Sequence, residues 1–139
     1  TVITARDAAG RPVGLTVSSF NAVSLAPRLV VWSLSSHLDC VPAFENAAVY
    51  AINVLAEDQQ ELSARFAGRA DDKFAGLEVD TGDGGVPLLR GCCARFECRP
   101  FACHPGGDHL VMIGEVLHFE RDAGRVPLVF QGGSYRRLA

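Results

Sequence analysis

The chain lacks the short motifs that would assign it to a familiar catalytic class. It has no Cys-x-x-Cys pair, no Gly-x-Ser-x-Gly, no His-Glu-x-x-His and no Gly-x-Gly-x-x-Gly behind a strand. These absences remove a zinc or dithiol spacing, a hydrolase nucleophile elbow, a zinc-protease helix and a Rossmann nucleotide turn. No apolar run approaches the ~20 residues that cross a bilayer as a helix. Positive charge is not in excess: the formal net charge is −3, which gives no electrostatic reason to bind nucleic acid or an anionic membrane. Repeats, heptads and low-complexity tracts are also missing. No signal peptide opens the chain, which starts without Met inside an apparent strand. Residues before Thr1 are therefore expected.

The five cysteines are an odd number, and Cys93, Cys98 and Cys103 recur every five residues. On a strand that spacing turns successive thiols to opposite faces, so they do not converge on a metal. His104 beside Cys103 does not repair this geometry, and no metal is expected. Free thiols in a reducing cytoplasm are the default reading.

What the chain does have is the makings of one compact domain, residues 1–139. Hydrophobic residues make up 48% and charged residues 21%. A chain of this length can bury roughly two-thirds of the surface it exposes when unfolded. Thr1–Ala5 reads as a strand, and residues 7–12 carry the Gly and Pro of a turn. Strands are expected over Val13–Ser18, Leu29–Leu34, Val49–Leu55, Pro87–Cys98, Leu110–Arg121 and Val126–Phe130. A helix is expected over Glu57–Phe66, with Leu62 and Phe66 one turn apart. Pro42, tolerated only in a first turn, argues for a helix from Cys40 to about Asn46 with Asp39 as its N-cap. Residues 69–85 and 100–107 read as loop and turn-rich link.

The stretch that organises the rest is Gly14 to Pro27. Leu15 and Val17 alternate with Thr16 and Ser18 as on a strand. Ser18, Ser19, Asn21 and Ser24 then place four short polar side chains within seven residues. A hairpin with a polar loop and a ligand-binding wall of hydroxyls and backbone N–H groups are both open readings. The same holds for Ser35-Ser36-His37-Leu38-Asp39: it is either a plain capped helix start or an anion site.

These segments resemble the short-chain flavin reductases. Gly14, Thr16, Ser18, Ser19, Phe20, Val23, Ser24, Leu25, Pro27, Leu29 and Val30 match that family's first signature, with Ala22 where a serine is usual. Residues 51–59 and 62–68 follow the family as well. Gly107-Asp108-His109, with Gly114 and Val116, matches a second signature, and Gly133-Ser134-Tyr135 with Leu138 matches the usual ending. His37 and Asp39 depart from the Lys, Arg, Ser or Thr common in the turn after the third strand.

The resemblance implies a mainly β fold with short helices, a flavin-binding split β-barrel. It implies FMN or FAD as cofactor, NADH or NADPH as co-substrate, a homodimer, and a partner monooxygenase fed with reduced flavin. A helix before Thr1 is also usual there. The flavin would be held by Thr16, Val17, Ser18, Ser19, Ser33, Leu34, Ser35, Ser36, His37 and Cys40. Phe66 is either core or a contact with the flavin edge. His109 would serve as the catalytic residue at the nicotinamide site, together with Tyr135; a lone strand histidine is otherwise a structural group. Other redox substrates, a non-catalytic flavin or haem binder, and a dimerisation module are the alternatives, since fold alone does not fix function.

Overall fold

The computed structural model describes residues 1–139. The chain begins with a hairpin of β1 (Val2–Arg6) and β2 (Pro12–Thr16). Its turn is fixed locally. Asp7 accepts the N–H groups of Ala9 and Arg11 at 2.9 Å, and Gly10 takes φ +79°. β3 (Asn21–Leu25) and β4 (Arg28–Ser35) form a second hairpin. Helix α1 (Val41–Asn46), strand β5 (Tyr50–Val54), a 3-10 turn (Glu57–Gln59) and helix α2 (Gln60–Ala67) follow. The remaining strands are β6 (Val79–Thr81), β7 (Pro87–Leu89), β8 (Ala94–Gly106), β9 (His109–Arg121), β10 (Val129–Gln131) and β11 (Ser134–Arg136).

Seven strands form one antiparallel sheet in the order β2-β1-β5-β8-β9-β4-β3. β2 and β3 occupy its two edges, yet only residues 17–20 join them. That link reaches at most ~18 Å, while the edges of a flat seven-stranded sheet would lie ~29 Å apart. The sheet must therefore curl until its edges almost meet. The result is an open barrel whose split is bridged by residues 17–20. Ser19 Oγ accepts the Ser33 N–H at 2.8 Å, pinning the bridge to β4, and the Phe20 ring lies 5.5 Å from that of Phe96.

The barrel interior is filled by the inward residues of each strand. On β4 these are Val30, Trp32 and Leu34; Met112 and Val116 supply β9, and Ile3, Ala5, Tyr50 and Ile52 supply β1 and β5. Trp32 packs edge-on against Phe44 of α1 at 5.3 Å and against Tyr50 at 5.4 Å. A smaller cluster of Val2, Leu55, Phe66, Leu89 and Cys92 lies outside the sheet. Buried Asn53 donates to the Val2 carbonyl and Thr4 Oγ1 and accepts the Leu89 N–H, so its polar groups join β1 to β7 without loss. α2 lies over β2, where Gly14 leaves room for the Phe66 ring: a Cβ at residue 14 would come within 2.7 Å of it.

Several expectations need correction. The serine-rich stretch is not one turn. β2 stops at Thr16, and Asn21–Leu25 form an edge strand, because β4 offers a free edge that these residues can pair with. Residues 100–106 are not a link: they extend β8, and Pro100 is tolerated because β5 pairs with β8 only as far as Cys98. Asp39 is not the cap. α1 starts at Val41 with Cys40 in the cap position and no side-chain cap bond. Residues 69–85 contain β6, and the closing segment contains β11.

Candidate functional site

Adjacent residues of β4 face opposite ways, so burying Trp32 and Leu34 turns Ser33 and Ser35 outward. Leu34 itself is fully buried, so only its backbone remains for a ligand. In register, Ser33 lies beside Val111 and Ser35 beside His109 of β9. Ser36 donates both its N–H and its hydroxyl to the Asp108 carbonyl, at 3.0 and 2.8 Å. This ties the β8–β9 turn to the end of β4. The Asp108 carboxylate lies 2.7 Å from His109 Nδ1, and that hydrogen bond holds its carboxyl below the usual carboxylate range. Two distant parts of the sequence are thereby joined at one end of the sheet.

The bridge residues lie along the same surface. Ser18 and Ser19 are exposed, while Thr16 and Val17 are half-buried. The hydroxyl protons can be assigned by counting partners. Thr16 Oγ1 donates to the Ser63 carbonyl at 2.7 Å, so toward a ligand it has only lone pairs to offer. Ser19 Oγ accepts the Ser33 N–H, so its own proton is free to donate. The expectation that residues 16–19 supply donors is therefore corrected at Thr16, which can only accept.

Tyr135 reaches this region from the C-terminal hairpin. Its hydroxyl lies 2.8 Å from Ser63 Oγ, so buried Ser63 contacts both Thr16 and Tyr135. Phe66 does not join them. Its ring is fully buried in the outer cluster, 5.0 Å from Phe74, and turns its edge to Gly14. Of the two readings left open for Phe66, the core reading holds.

Beyond Ser35 the surface deepens into a cavity of about 760 Å³. Residues 12–15 of the first hairpin, the turn from Ser35 to Cys40, and residues 68–74 after α2 form its walls. His37 and Cys40 line it. Burial pushes the Cys40 thiol upward, which keeps it protonated and a poor nucleophile. Asp39 stands where this cavity adjoins a second one of about 630 Å³. Lys73, which the sequence places in a surface loop that in relatives can touch the distal part of the cofactor, also lines the cavity. The turn itself has no Lys or Arg, but the segment after α2 brings in the chain's one lysine. Nζ donates to the carbonyls of Phe66 at 2.9 Å and Gly14 at 3.3 Å.

The arrangement offers a flat, outward wall of hydroxyls and amides beside a histidine, leading into a cavity with a cation. Such a surface can seat a planar ring and draw in an anionic tail.

Comparison with known proteins agrees. A family model described as flavin reductase like domain matches residues 1–139. The FMN reductase (NADH) SmoA of Agrobacterium fabrum is 47% identical over all of this chain, which spans 78% of that protein. HsaB of Rhodococcus jostii, the reductase subunit of a flavin-dependent monooxygenase, is 39% identical over 97% of the chain and 69% of its own length. Among solved structures, the NADH:FAD oxidoreductase SgcE6 of Streptomyces globisporus, in complex with NAD and FAD fragments, superposes with a TM-score of 0.93 at 32% identity, covering 99% of this chain and 83% of that one. The split-barrel wall, the Gly-Asp-His turn and the match over every residue lead to one statement: this chain belongs to the flavin reductase like domain family.

Proposed function

We propose that the protein is an NAD(P)H:flavin oxidoreductase acting on FMN or FAD and supplying reduced flavin to a partner monooxygenase. The observation that carries this is the seam of the barrel, where residues 16–19, Ser33 and Ser35 form an outward hydroxyl wall beside His109. The donor set fits a flavin. The pyrimidine edge of an isoalloxazine alternates carbonyl oxygens with a ring N–H. The Ser19 hydroxyl can donate to a carbonyl, and the Thr16 lone pairs can accept the N–H. A flavin held there by residues 16–19, Ser33 and Ser35 would supply the hydride acceptor for a nicotinamide.

The chain's residues then orient and stabilise. Donors held by the fold, the Ser19 hydroxyl and backbone N–H groups, face the edge where negative charge grows on reduction. His109, tethered through Nδ1 to Asp108, would keep its other nitrogen for the nicotinamide. Tyr135, held by Ser63 beside Thr16, would be the second residue of the nicotinamide site.

A homodimer is part of the proposal. The site wall continues into Leu29, Val31, Val111 and Ile113 on the outer face of β4 and β9, with Val23 beside them on the edge strand. Leu25, also on that edge strand, is 91% exposed. An apolar sheet face of this kind is suited to a second copy. No helix is long and apolar enough to cross a membrane, and none of the five cysteines is paired. A cytoplasmic location is part of the proposal.

The test combines flavin titration with NADH consumption. Adding FMN or FAD to the purified protein quenches flavin fluorescence, and NADH oxidation rises with added flavin. His109→Ala lowers NADH-driven reduction by at least about tenfold and changes flavin affinity by less than about threefold, because it removes nicotinamide orientation and not the ring's wall. Equal loss of both, or of neither, removes His109 from the role.

A further inference from the structure

We infer that Ser63 is a positioning residue: by holding the C-terminal hairpin against the flavin wall, it sets the affinity for the nicotinamide nucleotide without touching it. The inference rests on the reading of the seam as a flavin site with Tyr135 beside the nicotinamide.

The hairpin of β10 and β11 is lightly anchored for a segment that carries a site residue. Its strands pair only with each other, in a sheet of two. Its base is tied to the body by backbone. The Glu57 N–H donates to the Val126 carbonyl at 2.8 Å, and the Leu128 N–H to the Leu55 carbonyl at 2.9 Å. Beyond Leu128 such ties stop. The Phe130 ring packs on the Tyr135 ring at 5.3 Å, and Ser134 Oγ donates to the Gln131 carbonyl, but both contacts lie inside the hairpin. One hydrogen bond joins residues 129–136 to the rest of the protein, between the Tyr135 hydroxyl and Ser63 Oγ at 2.8 Å. A two-stranded ribbon is marginally stable by itself. That single tie therefore decides how firmly Tyr135 is kept at the seam.

Ser63 has the burial and the reach for this. It lies on α2 and is 2% exposed, so its hydroxyl needs a partner inside the protein. A helical serine commonly returns its hydroxyl to the carbonyl one turn back. This one bonds a residue 72 positions later. Its carbonyl, meanwhile, accepts the Thr16 hydroxyl at 2.7 Å. One residue thus holds a flavin-wall side chain with its backbone and a nicotinamide-site side chain with its hydroxyl. Replacing the side chain leaves the carbonyl and Thr16 in place, so the two roles separate.

Without the tie the hairpin stands open part of the time, and nicotinamide affinity falls in proportion to the fraction still closed. Steady-state kinetics with NADH at saturating FMN read this fraction. Ser63→Ala should raise KM for NADH about 3- to 10-fold, the effect of one hydrogen bond, while kcat and the FMN Kd change less than about twofold. Tyr135→Phe cuts the same bond from its half-buried end and tests it even if Ser63→Ala does not fold. Adding Ser63→Ala to Tyr135→Phe should raise KM no further, because the bond is already gone. Amide hydrogen exchange over residues 129–136 should quicken by a similar factor in both single variants. An unchanged KM, a further rise in the double variant, or unchanged exchange overturns the inference and leaves the flavin reductase reading standing. An equal loss of FMN affinity in Ser63→Ala makes Ser63 a support of the whole site and also overturns it. Failure of the wild-type protein to oxidise NADH with added FMN or FAD overturns the functional reading and this inference together.

Discussion

β4 presents two faces made from neighbouring residues, and they do unlike work. Val30, Trp32 and Leu34 are buried in the barrel, where Trp32 is held between Phe44 and Tyr50. Ser33 and Ser35, one residue away, look outward over the seam toward the bridge and His109. The inner face carries stability through apolar area and close packing. The outer face keeps hydroxyls that the fold leaves unspent, and these are the groups proposed to recognise the flavin. A two-residue period on a single strand thus separates the two demands, and substitutions on each face should fail in different assays.

The largest effect is expected inside. Trp32→Ala should lower unfolding stability by ~3–5 kcal/mol in denaturant titration, through lost burial and the cavity left behind. A loss near 1 kcal/mol would mean that the ring is not the keystone its packing indicates. Next comes Gly14→Ala, on β2 where the sheet meets the outer cluster at Phe66. The added Cβ would sit within 3 Å of two Phe66 ring atoms in a closely packed cluster, so a cost of ~1–3 kcal/mol is expected. Phe66→Leu in the same background should recover part of it if the clash is the cause.

On the outer face, Ser33→Ala should change stability by no more than ~0.5 kcal/mol. Its flavin Kd should rise by ~3- to 10-fold, the value of one hydrogen bond. If stability fell and binding held, the division between faces would be wrong.

The smallest effect concerns acid. The inner face of β4 has no titratable group, but the outer end has Asp108, whose folded carboxyl is held low by its bond to His109, against an ordinary value of 3.8. A depressed carboxyl contributes stability above its unfolded value and loses it as pH falls through the folded one. Stability should therefore drop as pH is lowered below about 3.8. Asp108→Asn should flatten that part of the curve, whereas Trp32→Ala should lower the whole curve without changing its slope. Asp108 is highly exposed, so the change in slope is slight.

Much of this was legible in the sequence. The first hairpin, the buried run of β4, the helix ending in Phe66 and the long strand after His109 all follow from alternation, turn residues and periodicity. The candidate residues Ser18, Ser19, Ser33, Ser35, Ser36 and His109 do meet on one surface. Most of the misses share a cause: they depended on a neighbour remote in sequence. Asn21–Leu25 look like loop until β4 offers a free edge. Pro100 looks like a strand breaker until β5 is seen to stop at Cys98. Thr16 looks like a donor until the Ser63 carbonyl claims its proton. Asp39 looks like a cap, but the chain turns one residue later.

By itself, then, the order of residues determined which faces are apolar, where the chain reverses, and which family the chain resembles. Those are properties of short windows, governed by local sterics and by hydrophobic pattern. Only the tertiary structure decided that the sheet curls until its edges almost meet, that His109 stands beside Ser35, and that the one lysine reaches a turn more than thirty residues before it. Such placements come from the curl of the sheet and from how hydrogen-bond donors are shared among distant segments, which no local pattern encodes.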